Sequence, residues 1–351
     1  MSAKEVPLAR VTLQTIADEV GVSRMTVSNA FSRPDQLSAP LRNRILATAA
    51  KLGYAGPDPS GRALARGKTG VIGMLLTESP LDAFRDEVAV GFVRATTAAL
   101  ADAGYSLALL NASAADIVPA RDVAMDGVIV YSCTPQNENV QHLLRRNLPI
   151  VMVEDFPIAG TATVSIDDRS GAAAAARHLL DLGHRDIVIA TLGLDHSGGV
   201  LDEAPQTYYV SVNNRLQGWI TELVAAGVRP RVVGTPDSDL DDILRARISD
   251  LLDHPPSAVL AFSDLVAVDV IEQAQAKGLD VPHDLSVVGF DDNPIAERVR
   301  PALTTVRQDL ERKGELAVSA IFAQIDGAEP TTPQPIPPEL IVRGSTAALN
   351  S

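Results

Sequence analysis

The sequence lacks several features that define large classes of protein. Cys133 is the only cysteine among 351 residues, so neither an internal disulfide nor a multi-cysteine metal site can form. No apolar run approaches the ~18 residues that span a bilayer, and the first residues, MSAKEVPLARVTLQ, have no continuous apolar core of a secretory signal. We therefore expect a cytoplasmic protein without a membrane segment.

Motifs of common enzyme classes are also missing. The first strand-like run, TGVIGMLLTESP, contains no G-x-G-x-x-G, which argues against a dinucleotide-dependent dehydrogenase. No Ser-His-Asp set and no pair of glutamates stands out, and His184 in LGHRD fits a helix end better than a general base. We expect no catalytic residue, no metal and no cofactor.

The composition is that of a globular protein with a divided charge. Apolar residues make up 46% and charged residues 21%, and the length suits two or three domains. Residues 1–68 carry ten Lys and Arg against five Asp and Glu, whereas the remainder carries 20 against 39. A basic head indicates binding to a polyanion, and the acidic body indicates a different task.

The head has the pattern of three short helices. Thr12 can cap a helix over 13–20, Ser23 can cap a second helix over 24–31, and a third helix follows Ser38. This is the helix-turn-helix plan, in which the second helix enters the major groove of DNA. The alternative is a small helical bundle that binds nothing.

The body alternates strand-like and helical segments. Apolar runs at 71–76, 127–131 and 187–190 are separated by amphipathic stretches such as 87–103 and 171–182. This alternation predicts parallel sheets with helical crossovers. The body therefore belongs to the α/β class.

Residues 12–54 resemble the headpiece of the LacI/GalR family of bacterial transcription regulators. The similarity continues in order through GAAAAARHLLDLGHRDIVIA, RLQGW, VPHDLSVVGFDD and LTTVRQ to PELIVRGST. It implies an α/β chain with an all-α helix-turn-helix headpiece at 1–57, a hinge helix or linker at 58–69, and an effector-binding and dimerisation body at 70–351. The body would be type I periplasmic-binding-protein-like, with two doubly wound subdomains. We expect the chain to cross between the subdomains near Ala162, Asp292 and Arg307.

The resemblance also implies a function and its partners. The protein would be a homodimeric repressor of a pseudopalindromic double-stranded operator, and a small polar effector, sugar-like or nucleoside-like, would change its operator affinity. An activator or a corepressor-dependent regulator is the alternative within the family. A free sugar-binding protein or an enzyme is the alternative outside it.

The expected DNA contacts lie in the head and the hinge. Arg24, Met25 and Asn29 are expected to read bases, although Asn29 stands where the family often has Arg. Leu64 aligns with the hinge leucine that enters the minor groove. The full set is Thr12, Ser23, Arg24, Met25, Thr26, Ser28, Asn29, Arg62, Leu64 and Lys68.

The expected effector contacts follow apolar runs in the body, because ligands of open parallel sheets bind beyond the carboxyl ends of strands. Asp291, after VVGF, can accept hydrogen bonds from two hydroxyl groups, and helix capping is the alternative role for Asp168, Ser170 and Asp291. Ser263 replaces an Asn common in the family, so the effector cannot be transferred from relatives. The full set is Ser79, Phe84, Asp168, Ser170, Arg215, Ser263, Asp264, Asp291 and Gln308.

Overall fold

The computed structural model describes residues 11–56, 61, 63, 67–76, 83–84, 86–110, 119–133, 137–207, 209–236 and 241–349. The chain divides into two compact units after Gly70, here called the head unit and the body unit. Within these described ranges, no helix is long and apolar enough to cross a membrane.

The head unit contains the three predicted helices, which are confirmed. They are α1 (Leu13–Val20), α2 (Arg24–Ser32) and α3 (Ala39–Lys51). Thr12 and Thr15 form a reciprocal capping box on α1, and Gly21 ends that helix in the left-handed region at φ 75°. The helices enclose a small apolar core of Ile16, Ala17, Val27, Ala30, Ile45 and Ala49.

The body unit begins with a parallel sheet. Its strands in the described part of the chain are β1 (Val71–Leu76), β2 (Ser106–Leu110), β3 (Gly127–Tyr131), β4 (Ile150–Val153) and β5 (Ala162–Val164). They lie in the order β2-β1-β3-β4-β5. The associated helices are α4 (Glu87–Asp102), α5 (Pro119–Asp122) and α6 (Glu138–Arg145). Helices cover both faces of the sheet, which is why its inner strands are continuous apolar runs.

A second sheet follows. Its described strands are β6 (Ile187–Thr191), β7 (His196–Val200), β8 (Arg231–Gly234), β9 (Ala258–Ala261), β10 (Ser286–Asp291), β11 (Thr304–Arg307) and β12 (Glu339–Ile341). They lie in the order β12-β11-β10-β9-β6-β8-β7, with β7 and β12 antiparallel to their neighbours. The helices around it are α7 (Asp168–Asp181), α8 (Val210–Ala225), α9 (Asp242–Leu251), α10 (Asp264–Ala276) and α11 (Pro294–Arg298). The last helix, α12 (Leu310–Ile325), packs on α4 and the first sheet.

These contacts define two subdomains. The first subdomain is the first sheet with its helices and α12, and the second subdomain is the second sheet with its helices. The chain passes from β5 to α7, returns from β11 to α12, and passes back near Ile336, which bridges to Ile166 and precedes β12.

The crossing expected near Asp292 is wrong. Strands β10 and β11 are direct neighbours in the second sheet, so the segment between them stays in the second subdomain. Asp292 holds this corner through ion pairs of 2.7 Å with Arg307 and 2.7 Å with Arg343. The passage near Ile336 was not predicted from the sequence.

Candidate functional site

The amino-terminal turn of α2 carries the expected base-reading residues. Arg24 and Met25 are exposed, Met25 to 71%, whereas Ser28 and Asn29 are half-buried. The Asn29 amide donates to Gln36 Oε1 at 3.2 Å, so this side chain already has a protein partner. Of these four residues, Arg24 therefore has the side chain best placed to donate hydrogen bonds to the edge of a guanine base.

The remaining expected DNA contacts divide between helix caps and the hinge. Thr12 caps α1, and Ser23 Oγ accepts from the Thr26 amide at 3.1 Å, which places Thr26 in the first turn of α2. Lys68 is exposed. Arg62 and Leu64, together with the expected effector contact Ser79, lie outside the described residues.

Arg215 is the centre of a buried charged cluster in the body unit. Its Nε donates to Asp168 Oδ1 at 2.8 Å, and its terminal nitrogen donates to Asp291 Oδ1 at 3.2 Å. The guanidinium lies 4.5 Å from the ring centroid of Phe262 and 3.7 Å from that of Phe290. Arg215 thus holds two carboxylates from separate elements beside two aromatic rings.

Gly218, one turn after Arg215, explains how α8 reaches α7. A Cβ at Gly218 would clash with the backbone carbonyl of Arg169. The glycine therefore allows the two helices to approach closely enough for Arg215 to reach Asp168, the first residue of α7.

Asp291 ends β10 with φ 115°, in the left-handed region that Asp and Asn tolerate better than most residues. Its Oδ1 accepts a second hydrogen bond from Gln308 Nε2 at 2.6 Å. Burial raises the pKa of Asp291 to about 7, although Arg215 acts to lower it. A further donor in the cleft would therefore stabilise the ionised form of this carboxyl group.

The other expected effector contacts are partly helix caps or buried hydrogen-bonding groups and partly exposed side chains. Asp167 caps α7 by accepting from the Ser170 amide, so capping falls to Asp167, while Asp168 binds Arg215. Ser263 caps α10, and the fully buried Asp264 accepts from Thr305 Oγ1 and from the Asn293 amide. The two remaining residues of the set are Phe84, which is 52% exposed, and Ser170, which is also exposed.

Two residues of the cluster were missed in the sequence. Lys313, fully buried on α12, donates to Gln308 Oε1 at 2.8 Å and pairs with Glu154 Oε1 at 2.6 Å. Glu154 directly follows β4, so the rule that selected Asp291 could also have selected it. Lys313 carries no such signal, because a lysine within a helix ordinarily faces solvent.

A cavity of about 160 Å³ with mixed polar and apolar walls, the latter including Ala204 and Val210, lies between the subdomains. Phe156 contributes to it from the first subdomain, two residues after Glu154. Its second-subdomain lining includes the amide side chains of Gln206, Asn213, Asn214 and Gln217. The Asn213 amide is already bound to the Thr207 backbone, whereas the other three amides can both donate and accept hydrogen bonds, which suits a hydroxyl-rich ligand.

Asp155, next to Glu154, should make stability depend on pH. The residue is 6% exposed, its Oδ1 accepts from the Phe156 amide at 2.8 Å, and burial raises its pKa from 3.8 to about 6. The folded state therefore holds the proton to a higher pH than the unfolded state, and stability falls as the pH rises from about 4 through about 6. The expected loss is about 3 kcal/mol when the ionisation is complete.

Asp155→Asn should remove this part of the pH dependence. Urea unfolding of parent and variant between acidic and neutral pH measures it, and the variant should gain stability relative to the parent as the pH rises. A constant difference between the two proteins across this range would contradict the assignment.

Comparison with known proteins identifies the chain. The family profile described as "Bacterial regulatory proteins, lacI family" matches residues 12–56, and a "Periplasmic binding protein-like domain" matches residues 176–346. An HTH-type transcriptional regulator of Mycobacterium tuberculosis is 36% identical over 326 residues, covering 89% of this chain and 90% of the relative. The chain belongs to the LacI family of bacterial regulators. The predicted fold class, a helix-turn-helix headpiece with a periplasmic-binding-protein-like body, is thereby confirmed.

Two further similar proteins are also transcriptional regulators. The HTH-type transcriptional repressor CytR of Escherichia coli is 31% identical and covers 99% of this chain and 100% of its own length. The structure of the transcriptional regulator CelR in complex with cellobiose matches with a TM-score of 0.68 at 27% identity, covering 96% of this chain and 100% of CelR. These LacI-family relatives are transcriptional regulators and not enzymes, and this chain is a DNA-binding regulator of the same family.

Proposed function

We propose that this LacI-family protein is a cytoplasmic, homodimeric repressor of a pseudopalindromic operator, whose DNA affinity is changed by a small polar effector. The effector binds between the subdomains. The observation that carries this proposal is the buried cluster around Arg215, Asp291 and Gln308, which draws on both subdomains. CytR, a repressor, and CelR, crystallised with a disaccharide, are consistent with it.

The homodimer follows from the small footprint of one headpiece. A single recognition helix such as α2 reads only a few base pairs, whereas two helices related by a two-fold axis read both half-sites of a pseudopalindrome. Light scattering of the full chain with operator DNA should show a dimer. A stable monomer on DNA would contradict this part of the proposal.

Asp291→Asn should separate effector response from operator binding. Asparagine keeps the Oδ1 acceptor used by Arg215 and Gln308 and tolerates the left-handed backbone, but it removes the negative charge. We expect operator affinity near that of the parent without effector, and a response to effector reduced at least about tenfold, since hydrogen bonds to a charged group contribute about 1.5–3 kcal/mol.

The experiment has two steps. A thermal-shift screen of sugars, nucleosides and phosphosugars identifies the effector, because a ligand at 100 times its dissociation constant adds about 2.7 kcal/mol. Operator titrations with and without that effector then compare the parent, Asp291→Asn, and Asp202→Asn as an exposed control. A full response in Asp291→Asn would exclude this cleft as the effector site, and tighter operator binding with effector would favour a corepressor-dependent regulator.

A further inference from the structure

The sulfur-containing side chains of the protein differ sharply in exposure. The sequence has five methionines and one cysteine. Met74, Met125 and Met152 are at most 4% exposed, Cys133 is 1% exposed, and all four pack in the apolar cores of the first subdomain. Met25, by contrast, is 71% exposed. Within the part of the chain that the structure describes, Met25 therefore carries the sulfur atom that a solute reaches most readily.

Met25 lies on the side of α2 that faces away from the core of the head unit. Val27 and Ala30 are buried in that core. Because successive residues of an α-helix are about 100° apart around its axis, Met25 lies nearly opposite these two residues. The thioether is thus outside the core, and a change in its polarity should leave the three helices of the head unit folded.

The same residue stands where it can reach the bases of an operator. Met25 is the second residue of α2, between Arg24 and Thr26. In helix-turn-helix proteins, residues at the amino-terminal end of this helix contact base edges in the major groove. A thioether is apolar and polarisable, and the matching group on a base edge is the C5 methyl of thymine. DNA binding would therefore bury the exposed side chain of Met25 and shield its sulfur from solvent.

The thioether of Met25 is open to a two-electron oxidant such as hydrogen peroxide, which converts methionine to methionine sulfoxide. The sulfur lone pair attacks one peroxide oxygen, and an S–O bond forms as the O–O bond breaks. The proton on the transferred oxygen passes to the departing hydroxide, which leaves as water, so sulfur loses two electrons and peroxide gains them. The change is reversible, because methionine sulfoxide reductases remove the oxygen as water while two thiols become a disulfide.

Oxidation would reverse the chemical preference of this side chain. The sulfoxide is polar, and a polar oxygen buried against a thymine methyl group loses its water without gaining a hydrogen-bond donor. The base groups that suit an acceptor are instead the amino groups N6 of adenine and N4 of cytosine. The oxidised head unit should therefore bind its original operator less tightly, with the loss at the base pair that faces Met25.

We propose that Met25 is an oxidation-sensitive contact of the operator, and that its reversible conversion to methionine sulfoxide releases the protein from DNA. This inference rests on the proposed operator-binding function. It adds an input in the head unit that needs no effector in the body unit. The buried sulfur groups of the first subdomain are shielded from the oxidant, so the response belongs to one residue.

Peroxide treatment of the full-length protein tests the proposal. Selection from random duplex DNA with the untreated protein first gives the preferred operator. Catalase then stops the peroxide reaction, peptide mass spectrometry locates the added oxygen, and operator titration measures the affinity. Protein oxidised at Met25 should bind the operator at least about tenfold more weakly, because the sulfoxide is desolvated without a partner. Its circular dichroism spectrum should be unchanged.

The outcomes separate this inference from the proposed function. Unchanged operator affinity at full oxidation of Met25 would overturn the inference and leave the proposed regulator in place. Untreated protein that selects no DNA sequence would overturn the proposed operator binding, and the inference with it.

Substitutions at Met25 distinguish its oxidation from other effects of peroxide. Met25→Leu keeps an apolar side chain of similar volume and a strong helix former, so it should bind the operator and lose the response to peroxide. Met25→Gln is polar before any treatment and should bind weakly from the start. Met125→Leu and Cys133→Ala, which remove buried sulfur atoms, are the matched controls and should respond to peroxide as the parent does. A full peroxide response in Met25→Leu would assign the effect to another residue.

Protection by DNA tests the place of Met25 in the interface. The preferred operator should slow the oxidation of Met25 severalfold, and a duplex of scrambled sequence at the same salt concentration should protect less. Sulfoxide reductases of both stereochemical specificities should then return the oxidised protein to the operator affinity of the parent. Equal oxidation rates with and without operator would place Met25 outside the interface and exclude the proposed switch.

Discussion

Replacing Arg215 with alanine is expected to lower the free energy of unfolding of the body unit by about 3–5 kcal/mol. The substitution would leave Asp168 and Asp291 as buried carboxylates without their cation, and it would open a gap between the rings of Phe262 and Phe290. Removal of one partner from a buried charged group is among the most destabilising single changes, because the remaining charge stays out of water.

Urea unfolding measures this effect through Trp219. It is the only tryptophan in the sequence, it is 1% exposed, and it lies one turn after Arg215 on the same helix. Arg229→Ala is the matched control, since Arg229 pairs with Asp202 on the surface with side-chain exposures of 67% and 53%. The control should leave stability close to that of the parent, because solvent screens an exposed ion pair. Similar losses in both variants would show that the Arg215 cluster has no special energetic role.

Because Arg215→Ala is expected to destabilise the body unit, it is a poor test of effector binding. A variant that loses its response to effector through local unfolding is indistinguishable from one that loses a ligand contact. Asp291→Asn, which keeps the protein contacts and removes only the charge, is therefore the better probe of the cleft.

The strands were predictable where burial alone determines them. Val71–Leu76, Gly127–Tyr131 and Ile150–Val153 have the bounds of their apolar runs, because helices cover both faces of their sheet. Thr304–Arg307 was not predicted as a strand, since its threonines are buried polar residues. The local sequence pattern thus identifies strands made of apolar residues, but it does not say which sheet a strand joins.

The difference between local pattern and sheet assignment explains why the crossing expected near Asp292 is wrong and why Glu154 and Lys313 were missed. The polar segment after Asp291 suggests a chain that leaves the second sheet. In the structure the chain instead continues through α11 to β11, the strand next to β10. Lys313 becomes a site residue only because α12 returns to the first subdomain and faces Glu154. Contacts between residues 154 and 313 depend on topology, which no local spacing encodes.

Replacing Arg24 with alanine is expected to weaken binding to the preferred operator by about 5- to 150-fold for each half-site, equivalent to about 1–3 kcal/mol for a bidentate base contact. Arg24 is the first residue of α2 and is exposed, while Asn29 on the same helix has its amide engaged by Gln36. The guanidinium can donate to both O6 and N7 of one guanine, so the loss should fall on one base position in each half-site.

Titration against operators that carry single base-pair substitutions measures this pattern. In Arg24→Ala, substitution of the contacted base pair should no longer reduce affinity, whereas substitutions elsewhere should retain their effects. Arg44→Ala, an exposed arginine on α3, serves as the control; if it contacts phosphate, its loss should be the same for every operator and should reduce the salt dependence. A uniform loss in Arg24→Ala would assign Arg24 to the DNA backbone and leave base reading to its exposed neighbour Met25, whose side chain can contact a thymine methyl group.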